Sequence, residues 1–167
     1  MKIQKRVNFR RIFAVIYVAV AFSFITIGLQ PAEAARYNIS AFLNISSIGV
    51  ISNVTELELQ NHELKTPNRI VGSYTRKDSN RTLLIGHSTG VFRNLKYVNL
   101  GDMVFYDQHF YQVEDITIIP KEKINMNKLL KANEDEPETV ILMTCAGELY
   151  GEGDATHRLI VTARLRD

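Results

Sequence analysis

The sequence predicts one mostly β domain, folded as a closed or nearly closed barrel, behind an N-terminal apolar segment. Its 167 residues leave room for a leader and a single sizeable core. After residue 47, short β-branched and apolar runs alternate with turn residues, a pattern typical of β domains. About seven such runs within about 120 residues favour a barrel, because closure of a sheet removes its exposed edge strands.

The leader has the composition of a membrane anchor. A basic flank, residues 1–11, precedes an uncharged apolar run at residues 12–29, an order that keeps the N-terminus in the cytoplasm. The eighteen residues of this run, at ~1.5 Å of rise each, reach ~27 Å, which is close to the thickness of the hydrocarbon core. A buried core helix is disfavoured because the run has no polar face. We expect a single-pass anchor in the cell membrane or, since Ala32-Glu33-Ala34 has the form of a cleavage site, a signal peptide; both place residues 37–167 outside the cell.

The basic character of the chain belongs to this leader. The net charge is +2, but residues 1–36 carry six basic side chains and one acidic side chain, so the rest of the chain carries −3. No clustered Lys/Arg stripe follows the leader, which excludes the phosphate contacts of a nucleic-acid-binding protein.

Turn residues divide the rest of the chain into elements. Residues 30–47, rich in Ala, Asn and Ser, are predicted to be a linker, and the domain is predicted to span residues 48–167. Good helix formers after an N-cap candidate predict a helix at Asn125–Ala132, and a short helical turn is expected at Val91–Leu95. The predicted strands are Val54–Leu59, Arg69–Ser73, Thr82–His87, Asp102–Tyr106, Phe110–Ile119, Thr139–Thr144 and His157–Leu165.

A lone thiol is the first candidate for chemistry. Cys145 is the only cysteine, so in an exported domain it is either a reactive group or an incidental buried residue. Two other reactive side chains also lie at strand ends, because His87 closes one apolar strand and Arg158 opens the last one. A thiolate nucleophile, an imidazole that exchanges a proton and a guanidinium that stabilises an oxyanion are the parts of a cysteine acyl-transfer site.

In order and spacing these residues resemble the sortases. Gly86-His87 follows an apolar strand, Ile141–Cys145 is similar to the family pattern Thr-Leu-x-Thr-Cys with Ile141 in place of the first Thr, and Arg158 lies thirteen residues after the cysteine. The resemblance is nearest to the housekeeping-like classes D and E. Further stretches that look like their sortase counterparts are Val71–Tyr74, Val91–Leu95 and Leu100–Val104.

The resemblance implies an eight-stranded sortase β-barrel and a two-step transpeptidation. Cys145 would cleave the Thr–Gly bond of a sorting signal resembling Leu-Pro-x-Thr-Gly and form a thioester, which an amine of a peptidoglycan precursor or of a pilin lysine would resolve. His87 would act as acid and base, Arg158 would position the substrate and support the oxyanion, and Thr144 would shape the substrate pocket. The implied partners are surface proteins with a C-terminal sorting signal, the amine acceptor, and the membrane through the N-terminal helix.

Two other functions remain open. A thiol hydrolase that releases surface proteins would use the same residues with water as acceptor, and an inactive membrane-tethered β-barrel would serve as a binding module. Glu148, Glu152 and Asp154, between the cysteine and the arginine, are expected to border the entrance for the second substrate.

No cofactor is expected. In some sortases a carboxylate cluster before the cysteine strand takes part in calcium binding, and Glu134–Glu136 with Glu138 lies in that region. Calcium needs six or more converging oxygens, which a linear run cannot supply alone. The sequence therefore favours a solvated acidic loop, with a Ca²⁺ site as the alternative.

Overall fold

Eight β-strands form the wall of the described part of the chain, which covers residues 37–61, 63–132, 135–150 and 154–166 of a computed structural model. Alongside them, these residues form one short α-helix, α1 (Met126–Leu129), and 3₁₀ turns at Ser46–Ile48, Leu95–Tyr97 and Lys121–Lys123. The strands are β1 Ile39–Ile45, β2 Val50–Glu56, β3 Val71–Thr75, β4 Arg81–Ile85, β5 Met103–Tyr106, β6 His109–Pro120, β7 Thr139–Tyr150 and β8 Asp154–Leu165.

The strands close into a barrel in the order β1-β2-β3-β4-β7-β8-β6-β5. Neighbours are antiparallel except at β2–β3 and β4–β7, which are parallel. The three longest strands, β6, β7 and β8, have twelve residues each and lie side by side. The prediction of a mostly β, closed barrel is therefore confirmed, as is the number of strands that the resemblance implied.

The N-terminal predictions meet the structure only in part. The basic flank 1–11 and the predicted anchor 12–29 lie outside the described residues. Among the residues that are described, no helix is long and apolar enough to cross a bilayer. The linker prediction is wrong over its last part, because β1 lies within residues 30–47. Only Leu43 and Ile45 of β1 are buried, and an alternation of two residues is too short to distinguish a strand from a tether.

Two helical predictions are corrected in extent. Residues 91–94 form hydrogen-bonded turns, and a 3₁₀ turn begins only at Leu95. The predicted helix at Asn125–Ala132 is confined to α1, although its N-cap is confirmed because the Asn125 side chain accepts a hydrogen bond from the Lys128 N–H at 3.0 Å. One turn of α-helix is marginal alone and depends on the apolar contacts beneath it.

Apolar side chains form two clusters, one on each face of the sheet. Because successive side chains of a strand point to opposite faces, Leu84 and Leu142 belong to the barrel interior while Leu83, Ile85 and Ile141 point outward. The outward cluster is completed by Ile160 of β8 and by Leu130, next to α1. Strands β4 and β7 are thus covered on both faces, which explains their nearly continuous apolar sequences.

Candidate active site

Three neighbouring strands bring His87, Cys145 and Arg158 into one row. β4 runs parallel to β7 with Ile85 opposite Met143, so two residues further on His87 comes level with Cys145. β7 runs antiparallel to β8 with Cys145 directly opposite Arg158. Directly paired residues of adjacent strands point to the same face, so the thiol and the guanidinium share the outer face of the barrel.

The end of β4 is fixed to β7 beyond the last ladder pair. The Gly86 N–H donates to the Met143 carbonyl at 3.4 Å, and the Thr144 hydroxyl donates to the Gly86 carbonyl at 2.7 Å. Gly86 itself has no room for a side chain, because a Cβ there would lie 2.6 Å from Val91 Cγ1. The close approach of the following turn therefore requires glycine immediately before the histidine.

The turn after β4 is organised by the backbone of His87. Its carbonyl accepts from the Gly90 N–H at 3.0 Å and from the Phe92 N–H at 3.1 Å. Phe92 is buried in the interior cluster, so the turn is anchored to the core. The imidazole is thereby held by a constrained backbone at the edge of the row.

All three residues line one groove of about 790 Å³ on the outer face of the barrel. Cys145 is partly exposed there. The groove is lined by both apolar and charged side chains. The apolar members are Leu59, Leu64, Tyr74, Ile85, Met126, Leu130 and Met143, and the charged ones besides Arg158 are Glu63, Arg76, Lys121 and Asp154.

Arg158 is held by several acceptors at the start of β8. Its Nη2 donates to Asp154 Oδ1 at 2.6 Å, and its Nη1 donates to the carbonyls of Ala155 at 2.9 Å and His157 at 3.0 Å. Asp154 also accepts hydrogen bonds from Lys121 and from the Ala155 N–H. Hydrogen bonds from Lys121, from Arg158 and from that backbone N–H hold the pKa of Asp154 well below its usual range, and the same carboxylate raises the pKa of Lys121.

A bulge interrupts the β7–β8 ladder directly after the row, between Ala146 and Leu149. Gly147 lies in this bulge with φ of +76°, and a Cβ there would stand 2.5 Å from Thr156 Oγ1. The Glu148 N–H donates to the same Thr156 hydroxyl at 3.1 Å. The hairpin thus bends immediately beyond the thiol, and only glycine fits at the bend.

The structure therefore brings together the three residues proposed for chemistry from sequence. Thr144, predicted to shape the pocket, also lines the groove, but its side chain is buried and its hydroxyl braces Gly86. Lys121 carried no sequence signal, since it comes near the site only through the pairing of β6 with β8. Of the three acidic residues expected at the second-substrate entrance, Asp154 binds Arg158, Glu148 is exposed, and Glu152 lies outside the described residues.

The acidic stretch before β7 has diverging partners. Glu136 forms ion pairs with Arg81 and Arg164, Glu138 accepts from the Tyr111 hydroxyl at 2.6 Å, and Glu134 is outside the described residues. Burial and the neighbouring Glu138 raise the pKa of Tyr111 far above its usual value. Across the described residues no three His, Cys, Asp or Glu side chains converge as a metal site would require. Calcium dependence stays a prediction.

Solved structures with a similar fold are sortases, while no curated protein sequence matches the chain significantly. Sortase A from Corynebacterium diphtheriae has a TM-score of 0.61 and 21% identity, with 78% of this chain and 62% of that chain covered. Sortase C-1 from Actinomyces oris has a TM-score of 0.59 and 25% identity, with 84% of this chain and 82% of that chain covered. Sortase E1 from Streptomyces coelicolor has a TM-score of 0.59 and 18% identity, with 78% of this chain and 89% of that chain covered. The similarity spreads over several classes, so the assignment to class D or E stays a prediction.

The family model for the sortase domain matches residues 43–166. This range begins within β1 and ends after β8, so it covers the whole barrel wall from the middle of its first strand. It also contains the row of His87, Cys145 and Arg158. Since the match extends over most of the 167 residues, the chain belongs to the sortase family.

Proposed function

We propose that this chain is a sortase-type cysteine transpeptidase, held in the cell membrane by residues 12–29 with its catalytic domain outside the cell. It acts on surface proteins that carry a sorting signal resembling Leu-Pro-x-Thr-Gly and transfers them to an amine of the cell wall or of a pilin. The observation that carries this proposal is the row of His87, Cys145 and Arg158 along one groove.

The first step forms a thioester. The Cys145 thiolate attacks the threonine carbonyl carbon of the Thr–Gly bond, and Arg158 stabilises the negative charge that develops on the carbonyl oxygen. Collapse of this intermediate breaks the C–N bond, and the leaving amine takes a proton from the His87 imidazolium. The surface protein is then bound to the enzyme through a C–S bond.

The second step transfers the surface protein to its acceptor. An amine attacks the thioester carbonyl and gives a proton to His87, the C–S bond breaks, and the thiolate is regenerated. One histidine serves both steps because the proton that it gives to the leaving amine is recovered from the incoming one. Water in place of the amine would make the enzyme a thiol hydrolase.

The groove supports an extended peptide substrate. Its volume of about 790 Å³ lies within the range of small-ligand sites and leaves room for several residues. Its apolar side chains, among them Tyr74 of β3 and Ile85 of β4, suit the leucine and proline side chains of the signal. A peptide laid along the outer face would pass the thiol where the row crosses β7.

The proposal is tested by incubating residues 37–167 with a panel of sorting-signal peptides, with and without amine acceptors, followed by mass spectrometry. A ligated product together with a thioester adduct on Cys145 is expected. Cleavage without ligation at saturating amine would favour the hydrolase. Complete inertness, equal to that of a Cys145→Ala control, would overturn the enzymatic proposal and favour a binding module.

A further inference from the structure

Asp154 bridges two cations beside the thiol, and the proposed reaction assigns it no role. Its Oδ1 accepts from Arg158 Nη2 at 2.6 Å, and its Oδ2 accepts from Lys121. Both cations line the groove, as does Asp154 itself. An aspartate is ionised at neutral pH, and the two cations lower the pKa of Asp154 further, so it binds both as a full negative charge.

The contacts of Arg158 leave part of its guanidinium available. A guanidinium has five N–H donors, and the bonds to Asp154, Ala155 and His157 use three of them within the described residues. The other two N–H groups make no hydrogen bond to the described residues and can serve an acceptor in the groove. The Arg158 side chain is only 15% exposed, so the surrounding atoms restrict it to few rotamers.

The bridge also joins two parts of the backbone. Lys121 follows directly after β6, whereas Asp154 and Arg158 begin β8. The ladder holds Pro120 opposite His157, so the ammonium and the carboxylate start from adjacent strand ends. Lys121 thus binds Asp154 from the β6 side of β8, which is the side away from β7. Asp154 in turn holds the guanidinium of Arg158.

We propose that Asp154 is a positioning residue, whose carboxylate holds the Arg158 guanidinium level with Cys145 so that its two remaining N–H donors face the substrate carbonyl. This inference rests on the proposed function, in which Arg158 supports the oxyanion. A donor helps only when it stands where the charge develops, and small displacements of catalytic groups reduce rates strongly. Lys121 supports the same geometry indirectly, because it binds Asp154 and not Arg158.

A different ion pair shows why the geometry matters. Arg76 and Asp78 also pair, at 2.8 Å, but their side chains are 34% and 70% exposed. Such surface pairs contribute little because water and side-chain entropy compete with them. The pair of Arg158 and Asp154 is less exposed, and two backbone carbonyls fix the guanidinium as well, so it can hold a defined position.

The test compares Asp154→Ala with the wild type in single-turnover acylation by the best peptide of the panel. We expect the maximal acylation rate to fall about tenfold, equivalent to ~1.4 kcal/mol, while KM changes less than twofold. Alkylation of Cys145 by iodoacetamide should not slow, because Asp154 acts on Arg158 and not on the thiol. In combination with Arg158→Lys, the loss should be smaller than the product of the two single losses.

Two variants keep the result interpretable. Lys121→Gln leaves the pair of Asp154 and Arg158 intact, so acylation should slow only two- to threefold. Asp115→Asn is the matched control, since this exposed carboxylate of the neighbouring strand bonds Thr117 and is not part of the groove lining. It should behave as the wild type.

A measurement without substrate separates this inference from the proposed function. The NMR signals of the Arg158 Nη–H groups should be sharp in the wild type and in Asp115→Asn, because Nη1 and Nη2 carry the hydrogen bonds, and broadened or lost in Asp154→Ala. If every peptide proves inert with the wild type, the proposed function fails while these signals still decide whether Asp154 positions Arg158. Unchanged or faster acylation in Asp154→Ala, or unchanged Nη–H signals, would overturn the inference.

Discussion

The β7–β8 hairpin has a bridging carboxylate at each end, and the two have different surroundings. Beside the groove, Asp154 joins Lys121 to Arg158. At the opposite end, Glu136 joins Arg81 of β4 to Arg164 of β8. The chemistry of both is a carboxylate between two cations, yet only the first lies in the groove.

The second bridge, at Glu136, is tied into the fold. The Asn80 side-chain amide donates to the Glu136 carbonyl at 2.8 Å, and the Thr139 N–H donates to the Asn80 carbonyl at 3.0 Å. Arg81 and Glu136 are only 21% and 25% exposed. This end fastens the beginning of β7 to the beginning of β4, whereas the other end surrounds the thiol. If Asp154 positions Arg158 as proposed, the same ionic motif acts mainly on stability at one end and mainly on catalysis at the other, and we expect the two effects to be separable.

The largest effect should come from the row between the two bridges. Cys145→Ala removes the nucleophile and His87→Ala removes the group that moves protons, so each should lower acyl-enzyme formation by at least ~10³-fold. Neither change should alter the fold, because both side chains lie in the groove. Thioester mass spectrometry and circular dichroism provide the two readouts. Near-normal turnover in either variant would refute the assignment of the row.

Glu136→Ala should affect stability and spare catalysis. It leaves Arg81, which is mostly buried, without its carboxylate, and we expect the free energy of unfolding to fall by about 1–3 kcal/mol. Acylation by folded protein should stay within twofold of the wild type. Denaturant unfolding and single-turnover kinetics measure the two quantities. A tenfold slower acylation in Glu136→Ala would contradict the separation of stability and catalysis between the two ends of the hairpin.

Gly147→Ala examines the bend between the row and the groove-side bridge. Its φ of +76° is strained for alanine, and the added Cβ would meet Thr156 Oγ1 at 2.5 Å. We expect a loss of about 1–2 kcal/mol in the free energy of unfolding. Acylation should also slow, because movement of the hairpin displaces Arg158 relative to Cys145. Gly49→Ala is a suitable control, since it has a similar φ of +66° but no atom within 4 Å of its Cβ. Equal kinetics in the two variants would show that the bend does not position the site.

The smallest effect concerns the pH dependence of stability at Asp154. Its pKa is lowered in the folded state, so its ionised form stabilises the fold fully above the ordinary value of 3.8, and this contribution is lost only as the pH falls further, through the lower pKa of the folded state. The Tm of Asp154→Asn should therefore lie below that of the wild type by roughly 2 °C at pH 7, and this difference should shrink at pH 2. Thermal unfolding at both pH values measures the difference. If the difference in Tm is the same at both pH values, the charge of Asp154 does not contribute to the stability of the fold.

Sequence alone could predict the barrel and the row, but not the bridges. The strands at Leu83 and Ile141 are buried on both faces, so their apolar runs are conspicuous, and the reactive residues follow at their ends. β1 was missed because Ile39 and Phe42 are exposed and obscure its alternation. The predicted strand ended at Thr144, six residues before the end of β7, because residues 147–150 are exposed and Leu149 and Tyr150 pair with β8 only beyond the bulge.

The partners of Arg158 illustrate the same limit. Asp154 lies four residues earlier in the chain, yet a bond between them needs a strand that starts at Asp154 and a guanidinium that folds back along it. Lys121 is more than thirty residues away, and its proximity follows only from the pairing of two strands. Local patterns identify reactive groups, whereas the charges that orient them are contributed by tertiary contacts.

The parallel pairing of β4 with β7 has a consequence for folding kinetics. The hydrogen bond between Thr144 and Gly86 closes a loop of 58 residues, and contacts of such sequence separation form late because chain entropy must be overcome first. We therefore expect the histidine and the cysteine to meet only as the barrel completes, so that the thiol lies apart from the histidine until then. The rate at which Cys145 reacts with an alkylating agent could serve as a clock for the last stage of folding.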